Sequence, residues 1–569
     1  MAVTMISESE APEKKPSKVE EIKAASRNLR GTLLESLSDE TTGAIRPDDT
    51  QISKFHGLYQ QDDRDQRMER RKAKLERAFI FMMRIRAVGG VVSPKQYLAV
   101  DELADKYANG TIRMTTRQAF QLHGMLKGDI KPTIQRLHQA GMDTISACGD
   151  VNRNVMCHPN PHTSAIHEEV YEVAKKISAH LTPRSRAYFE IWLDEEKVAD
   201  EKEEVEPIYG KTYLPRKFKI GIAVPPSNDI DIFSQDLGFI AIVEQGDLIG
   251  FNIVAGGGMG MTHGKKDTYP LLARPIGFCP PDKAVEVAEA VVTTQRDFGN
   301  RSDRKRARLK YTIEDRGLDW FIGEVNSRLG WELQESRPYS FDSYGDLYGW
   351  FQGSDGKWFY NSFILSGRIK DADGLNWKSA LREIATIHEG DFRLTPNQNM
   401  MITGVTGEKK PEIEKILIGH GLDKALEQTG IRLHAMSCPA LPTCGLALAE
   451  SERILPDVVA TLEEEVEKAG LRNDAISIRI TGCPNGCARP YLGEIGIVGK
   501  APGKYNLYLG ARHDGTRLGI EVATNITLDE IYERLRPLIR DYSREREENE
   551  YFGDFCVRKN HVKSPAGAS

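Results

Sequence analysis

The sequence has no long apolar run. None of its windows approaches the ~18 consecutive apolar residues of a membrane span, and the N-terminus, MAVTMISESEAPEKKPSKVEEIK, lacks the apolar stretch of a secretory signal. Both absences point to a cytoplasmic protein with no membrane partner. Cysteine is scarce, eight in 569 residues. That is too sparse for a disulfide-stapled scaffold, and in a reducing compartment thiols more often serve metals or catalysis. Positive charge is not in excess either: the net charge of −6 gives no global reason to expect nucleic acid. A nucleotide fingerprint is also missing. The GGGMG run at 256–260 follows a strand pattern but opens into MTHGKK, not an apolar helix, so nicotinamide chemistry would belong to another subunit.

What is present is a mixed α and β pattern, long enough for about three domains at ~100 to 200 residues each. Residues 1 to about 50 are polar, charged and proline-punctuated, and read as a mobile arm that could order on a partner. From FMMRIRAVGGVVS onward, strand-like and helix-like periodicities alternate. Helices are expected at 167–181, 281–299 and 456–470, with another starting at Thr527, where Glu530 has capping-box spacing. Strands are expected in KFKIGIAV, in FIAIV turning through EQGD into GFNIVAGGG, in ISIRI and in YNLYLGA. The chain also repeats itself: GTIRMTTRQ (110–118) and GDFRLTPNQ (390–398) share Gly, Arg, Thr and Gln at identical offsets. Matching segments so far apart point to duplication, with two related halves packed as a pseudo-symmetric pair.

Half of the cysteines form a constellation. Cys438 and Cys444, in SCPALPTCG, have five residues between them; Cys483 and Cys487, in TGCPNGCARP, follow after 38 more. Four loop-borne cysteines can supply the thiolates of an iron–sulfur cluster. Structural zinc loops favour gaps of about two to four residues, so the wider gap leans away from zinc; ordinary buried cysteines are the bland alternative. Both pairs sit beside proline and glycine, and the second follows the half-buried strand pattern of ISIRI. Gly482 and Gly486 would let backbone N–H groups approach cluster sulfurs. Cys148, Cys157, Cys279 and Cys556 are scattered and read as unpaired thiols.

Basic residues form a second constellation. In TIRMTTRQAFQLHG, read as an extended strand, Arg113, Thr115, Arg117, Gln121 and His123 share one face and Ile112, Met114, Phe120 and Leu122 the other. A solvated sheet face would show the same alternation. YLPRKFK places Lys217 and Lys219 on one side and Arg216 on the other, and NRSDRKRARLK (300–310) carries six basic residues against one acidic. Arg84, Arg86 and Arg153 follow apolar stretches, where an unpaired charge is costly. A buried or cleft-bound anion would resolve that cost.

Together these segments, with NLRGTLLESL, KFHGLYQQDDRD, GDVNRNV, GFNIVAGGGMGMTHG and VVTTQRDFGNRSDRK, resemble the assimilatory siroheme and [4Fe-4S] sulfite/nitrite reductases. The likeness is to their sulfite-reducing hemoprotein branch, and it runs from about residue 18 to 558. The resemblance implies an α/β fold with mixed sheets (α+β) in three domains, with internal pseudo-two-fold duplication and cofactors at the domain junction. It implies an N-terminal partner-binding arm (1–80), a split bridging domain (81–145 with 347–421), an N-terminal half with siroheme and substrate contacts (146–346), and a C-terminal half with the cluster (422–569). A [4Fe-4S] cluster bound by Cys438, Cys444, Cys483 and Cys487 would be joined to siroheme through Cys487. Arg113, Thr115, Arg117, Gln121 and His123, with Arg216 and the 301–310 cluster, would line the macrocycle. Arg84, Arg153, Lys217 and Lys219 would bind sulfite for six-electron reduction to sulfide, in sulfate assimilation and cysteine biosynthesis.

The resemblance also implies an electron donor, an NADPH-dependent FAD/FMN flavoprotein bound through the arm, with ferredoxin as the alternative. The N-terminal counterpart of the cluster site is expected near GDVNRNV, with Arg153 in place of the cysteines. The rival readings are a nitrite reductase of the same family and, from another class, a cysteine-bound zinc module acting on RNA. The basic residues alternate with strand-core positions, not with exposed aromatics, so no stacking platform for RNA is evident.

Overall fold

The structure is a computed structural model describing residues 15–160, 163–195 and 204–562. Four five-stranded sheets form two look-alike pairs. The first pair is antiparallel. One sheet runs Leu58–Asp62, Phe79–Ile85, Phe120–Met125, Ile112–Met114 and Arg368–Ile369; the other runs Gly349–Gln352, Trp358–Ser362, Met400–Val405, Asp391–Leu394 and Val91–Val92. Each ends on a short strand donated by the other half: Arg368 pairs with Arg113, and Val91 with Arg393.

The second pair is mixed. Met156–Cys157, Ile220–Ala223 and Leu237–Glu244 run parallel, then Asp247–Ala255 and Arg274–Cys279 return antiparallel. Ala435–Ser437, Ile478–Thr481, Ile495–Ala501, Lys504–Leu509 and Ile520–Ile526 repeat that order and those directions. A shift of 258 residues carries the Ile220–Leu237 pairing onto Ile478–Ile495. A shift of 280 carries Gln118 onto Gln398 and Cys157 onto Ser437. Both glutamines adopt positive φ (49° and 71°), and each side-chain amide bonds the carbonyl of its partner residue at 3.0 Å. The duplication expected from nine residues thus extends through the sheets.

The expected helices are present at Ala165–His180, Ala284–Phe298 and Leu455–Lys468, and Leu528–Glu545 starts on the Thr527–Glu530 capping box. Three expectations change. TIRMTTRQAFQLHG is not one strand: the left-handed Gln118 closes a turn between Ile112–Met114 and Phe120–Met125, and its buried amide is held by the carbonyls of Gly89, Cys157 and Leu394. Arg113 and Gln121 still face the same way, because they pair across the hairpin. KFKIGIAV is regular only over Ile220–Ala223. Finally, residues 17 to 62 are not a mobile arm. Helices Lys18–Ala24 and Leu33–Ser38 pack on the protein, Leu29, Leu33, Ile45, Ile52, Phe55 and Leu58 are buried in the largest core, and Leu58–Asp62 is an edge strand. Buried Lys23 ties this segment down through Leu214 O (2.7 Å) and Glu20 (2.6 Å). Residues 1–14 of the expected arm lie outside the described residues.

Candidate cluster and anion site

The two cysteine loops leave the C-terminal ends of adjacent parallel strands, Ala435–Ser437 and Ile478–Thr481. This is where an α/β sheet presents a crevice to ligands. All four cysteines are free thiols; Cys438 and Cys483 are buried, Cys444 is partly exposed and Cys487 exposed. The Gly482 N–H points at Cys438 Sγ (3.3 Å) and the Asn485 side chain at Cys483 Sγ (3.4 Å). Gly482 packs so closely on Ala440 and Ala449 that a Cβ would stand 2.6 Å from each. Burial first, and then the neighbouring Cys487, push the Cys438 and Cys483 thiols up, Cys483 to about 11. Cys444 is pushed up by the same two causes, and three thiols raised in this way, with N–H groups aimed at sulfur, fit a cluster whose metals carry positive charge. Among the described residues no three such side chains converge on a point that suits a single metal ion, the geometry that a zinc site needs.

Cys487 faces a cationic crevice. Its carbonyl accepts from Thr116 Oγ1 (3.0 Å), and its charge acts on the Lys217 amine. Lys217 is pulled down to about 7, first by burial, then by Arg153, Arg308 and Arg216; Lys219 is displaced further the same way, by burial and by Arg117 and Lys217. Neither amine has a hydrogen bond or ion pair with any described residue. Arg117 is lowered to about 9, again chiefly by burial, and its Nε is buried without a partner. Its other nitrogens reach Gln235, Asn154 O and Ile220 O. With the amide oriented to suit both neighbours, Gln121 accepts from Arg84 Nε (3.0 Å) and donates to His123 Nε2 (3.2 Å). Buried His123 keeps Nδ1 unpaired. So many unneutralised cations in one place are stable only around an anion, and a macrocycle fringed with carboxylates has the right charge.

Not every expected ligand is free. Arg113 is engaged by Glu452 (3.0 Å) and Ser437 O (3.0 Å). Thr115 Oγ1 accepts from the Arg117 N–H (3.2 Å). In the 301–310 cluster, Arg304 pairs with Asp150, Arg306 with Asp315 and Arg308 with Asp236, while Lys310 bonds the carbonyls of Gly258 and Gly260. Arg216 lies beside Asp150 and Arg304. Sequence reasoning also missed three neighbours. Arg84 donates to Cys148 Sγ (3.1 Å), the Tyr59 phenol acts on the charge of Arg153, and Lys54, lowered to about 8 by burial, adds its charge. KFHGLYQQ carried the only signal for two of them, by holding Lys54 and Tyr59 in one motif.

The twin half supplies an internal comparison. The shifts that align the sheets carry Arg153 onto Leu433, Lys217 onto Ala475 and Lys219 onto Ser477; Asn361 faces Met401 as Arg84 faces Gln121. Each of these four cations has a neutral counterpart. The four cysteines correspond to His158, Ser164, Pro225 and Asp229. The cluster site's counterpart therefore follows the parallel strands Met156–Cys157 and Ile220–Ala223, at His158 and at 225–229, and is not GDVNRNV. On the twin of the Thr115–Arg117 turn, Thr395, Asn397 and Asn399 hold the carboxylate of Asp346 at 2.6, 3.0 and 2.8 Å. This copy of the turn thus binds a carboxyl group of the chain itself.

Comparison with known proteins agrees. The chain is 58% identical over 559 residues to the sulfite reductase [NADPH] hemoprotein beta-component of Geobacillus kaustophilus, covering 98% of each chain. The chain belongs to this hemoprotein family. The corresponding protein of Staphylococcus saprophyticus is 55% identical, with 96% of each chain covered. Family descriptions match at 172–333 (nitrite and sulphite reductase 4Fe-4S domain) and at 74–140 and 351–419 (nitrite/sulfite reductase ferredoxin-like half domain). The solved structure of Mycobacterium tuberculosis NirA shares the fold, with a TM-score of 0.77 at 23% identity, covering 96% of this chain and 97% of that one. The family carries a siroheme and a [4Fe-4S] cluster, and the reading as a zinc-bound RNA module is set aside. No helix among the described residues is long and apolar enough to cross a membrane.

Proposed function

We infer that the chain is the catalytic component of a sulfite reductase, reducing sulfite to sulfide with electrons from an NADPH-dependent flavoprotein. One observation carries most of the weight: Lys217 and Lys219 are enclosed, mutually repelling and unpartnered beside a cluster cysteine. When bound, a siroheme coupled to a [4Fe-4S] cluster supplies the electrons. Cys438, Cys444, Cys483 and Cys487 would hold the cluster, with Cys487 also reaching the siroheme iron. Thr115, Arg117, Gln121, His123 and Arg216 would hold the macrocycle, with Arg113 helping from its pair with Glu452.

Arg84, Arg153, Lys217 and Lys219 bind the sulfite dianion. Each contact at ~4 Å is worth about 4 kcal/mol before desolvation at an effective dielectric near 20. As each S–O bond breaks, the departing oxygen gathers charge that these donors stabilise, and it must leave as water. Lys217 Nζ suits that proton delivery, because an amine drawn toward neutrality exchanges its proton near physiological pH. The Gly149 carbonyl and the Cys148 thiol hold Arg153 and Arg84 in place.

We place the split bridging unit at 81–145 with 347–421, the substrate half at 146–346 and the cluster half at 422–569. We further propose that the first residues of the chain tether the flavoprotein. Because residues 17–62 are part of the core, the deletion that tests this removes only residues 2–14. It should weaken flavoprotein binding and leave both cofactors in place; undiminished NADPH-driven turnover would count against the tether. Steady-state assays with sulfite and nitrite test the substrate. Sulfite should give the higher kcat/KM, and a preference for nitrite would overturn the assignment.

A further inference from the structure

The cluster loops are open at Cys487, which adjoins the cationic crevice, and again just beyond Cys444. Cys438 and Cys483 are buried and Cys487 turns toward the cationic crevice, but Cys444 is followed by exposed Gly445 and Leu446. No atom lies within 4 Å of where a Gly445 side chain would stand, and Leu446 is 67% exposed. Arg64 pins this loop to the segment that follows the first edge strand. Its guanidinium donates to Cys444 O (3.0 Å) and Ala447 O (2.7 Å), and its backbone N–H to Pro442 O (3.2 Å). Met68, four residues on and 64% exposed, stands on helix Arg67–Lys72, which buries none of its residues. Arg64 thus joins the two segments that carry these open apolar side chains, beside the cluster cysteines.

The charge around them specifies the kind of partner that would fit. Residues 63–77 carry seven basic residues against four acidic, in a chain whose net charge is −6. Arg71, Lys72, Lys74 and Arg77 have no side-chain hydrogen bond or ion pair with any described residue. We propose that this surface is the electron-entry dock, with Leu446 and Met68 at its centre and those four cations at its rim, and that it receives an acidic, flavin-bearing protein domain. The proposal rests on the sulfite reductase reading and adds to it where the donor sits. In each encounter the partner's reduced flavin would give up one electron, with any released proton going to solvent, and a cluster held by the four cysteines would accept that electron. The apolar centre sets how long the encounter lasts, and the basic rim sets how often it occurs.

The test uses holoenzyme reducing sulfite with two donors: the purified NADPH-dependent flavoprotein, and dithionite-reduced methyl viologen, which needs no dock. Two variants, Leu446→Glu and the double Arg71→Glu/Lys72→Glu, are compared with wild type. Both should raise the KM for flavoprotein about tenfold or more, the double variant should also flatten the salt dependence, and viologen-driven rates and the visible spectrum should stay within about twofold of wild type. Unchanged flavoprotein kinetics in both variants would overturn the dock, as would an equal loss with both donors. A wild-type holoenzyme that fails to reduce sulfite even with viologen would instead overturn the functional reading.

Discussion

Asp231 and Arg489 occupy the same position in the two halves of the chain, and their side chains bind each other. Each is left-handed (φ 48° and 54°) and each opens a short 3-10 turn after the second parallel strand of its sheet. Arg489 Nε meets Asp231 Oδ2, and the fully buried Arg479 reaches the same oxygen at 2.8 Å. The backbone of the duplicated unit was kept while its charge was inverted, which made the two copies complementary. Arg489 then bonds Thr116 O and Pro396 O (both 3.0 Å), one residue from each repeat turn.

Removing this carboxylate leaves two buried guanidiniums uncompensated. Asp231→Asn should cost about 3–5 kcal/mol of stability, read by urea denaturation of the cofactor-free protein. A loss below about 1 kcal/mol would show that the pair is not what joins the halves.

Lys217 and Lys219 should matter to chemistry far more than to folding, since neither amine has a hydrogen-bond or ion-pair partner among the described residues. Lys217→Met and Lys219→Met should each lower kcat/KM for sulfite about 10²- to 10³-fold, with siroheme absorbance and iron content retained. Loss of bound cofactor in step with activity would move these lysines from substrate to macrocycle.

The same lysines give the cofactor-free protein a distinctive pH response. Lys217 titrates near 7 when folded and near 10.5 when unfolded, so between those values the unfolded chain holds the extra proton and stability rises with pH. Lys219 is displaced in the same direction. An anionic occupant favours the charged amines and should flatten the rise. Tm measured from about pH 6.5 to 9.5, with and without siroheme, checks this; identical slopes would mean that the anion does not sit against these amines.

The cluster loops were legible because a metal constellation constrains spacing, and because glycine and proline mark its turns. Arg84 and Arg153 showed themselves as charge after apolar stretches, whereas Lys217 and Lys219 showed only as one face of a strand and entered the sulfite set through the family resemblance. Lys54 and Tyr59 did not show, because a polar N-terminal sequence reads as an arm until its few apolar residues are seen to be buried. Cys148 looked like a stray thiol because its partner, Arg84, lies 64 residues away. Most of the duplication was hidden as well. Strand register and turn conformation survive the loss of side-chain identity, so Gln118 and Gln398 were visible while His158 against Cys438 and Asp229 against Cys487 were not.

Each cluster cysteine should be individually required. Cys438→Ser, Cys444→Ser and Cys483→Ser should abolish acid-labile sulfide in the purified protein, and Cys487→Ser should in addition alter the siroheme absorption. Any single variant that keeps wild-type iron, sulfide and spectrum would remove that residue from the ligand set.

The most direct measurement is the visible absorption and the iron and sulfide content of the chain purified from iron-replete, siroheme-competent cells, followed by sulfite turnover with reduced viologen. The account predicts a coloured protein containing siroheme and one four-iron cluster that releases sulfide from sulfite. A correctly folded, colourless protein without labile sulfide, or a fully loaded one that leaves sulfite untouched, would contradict it.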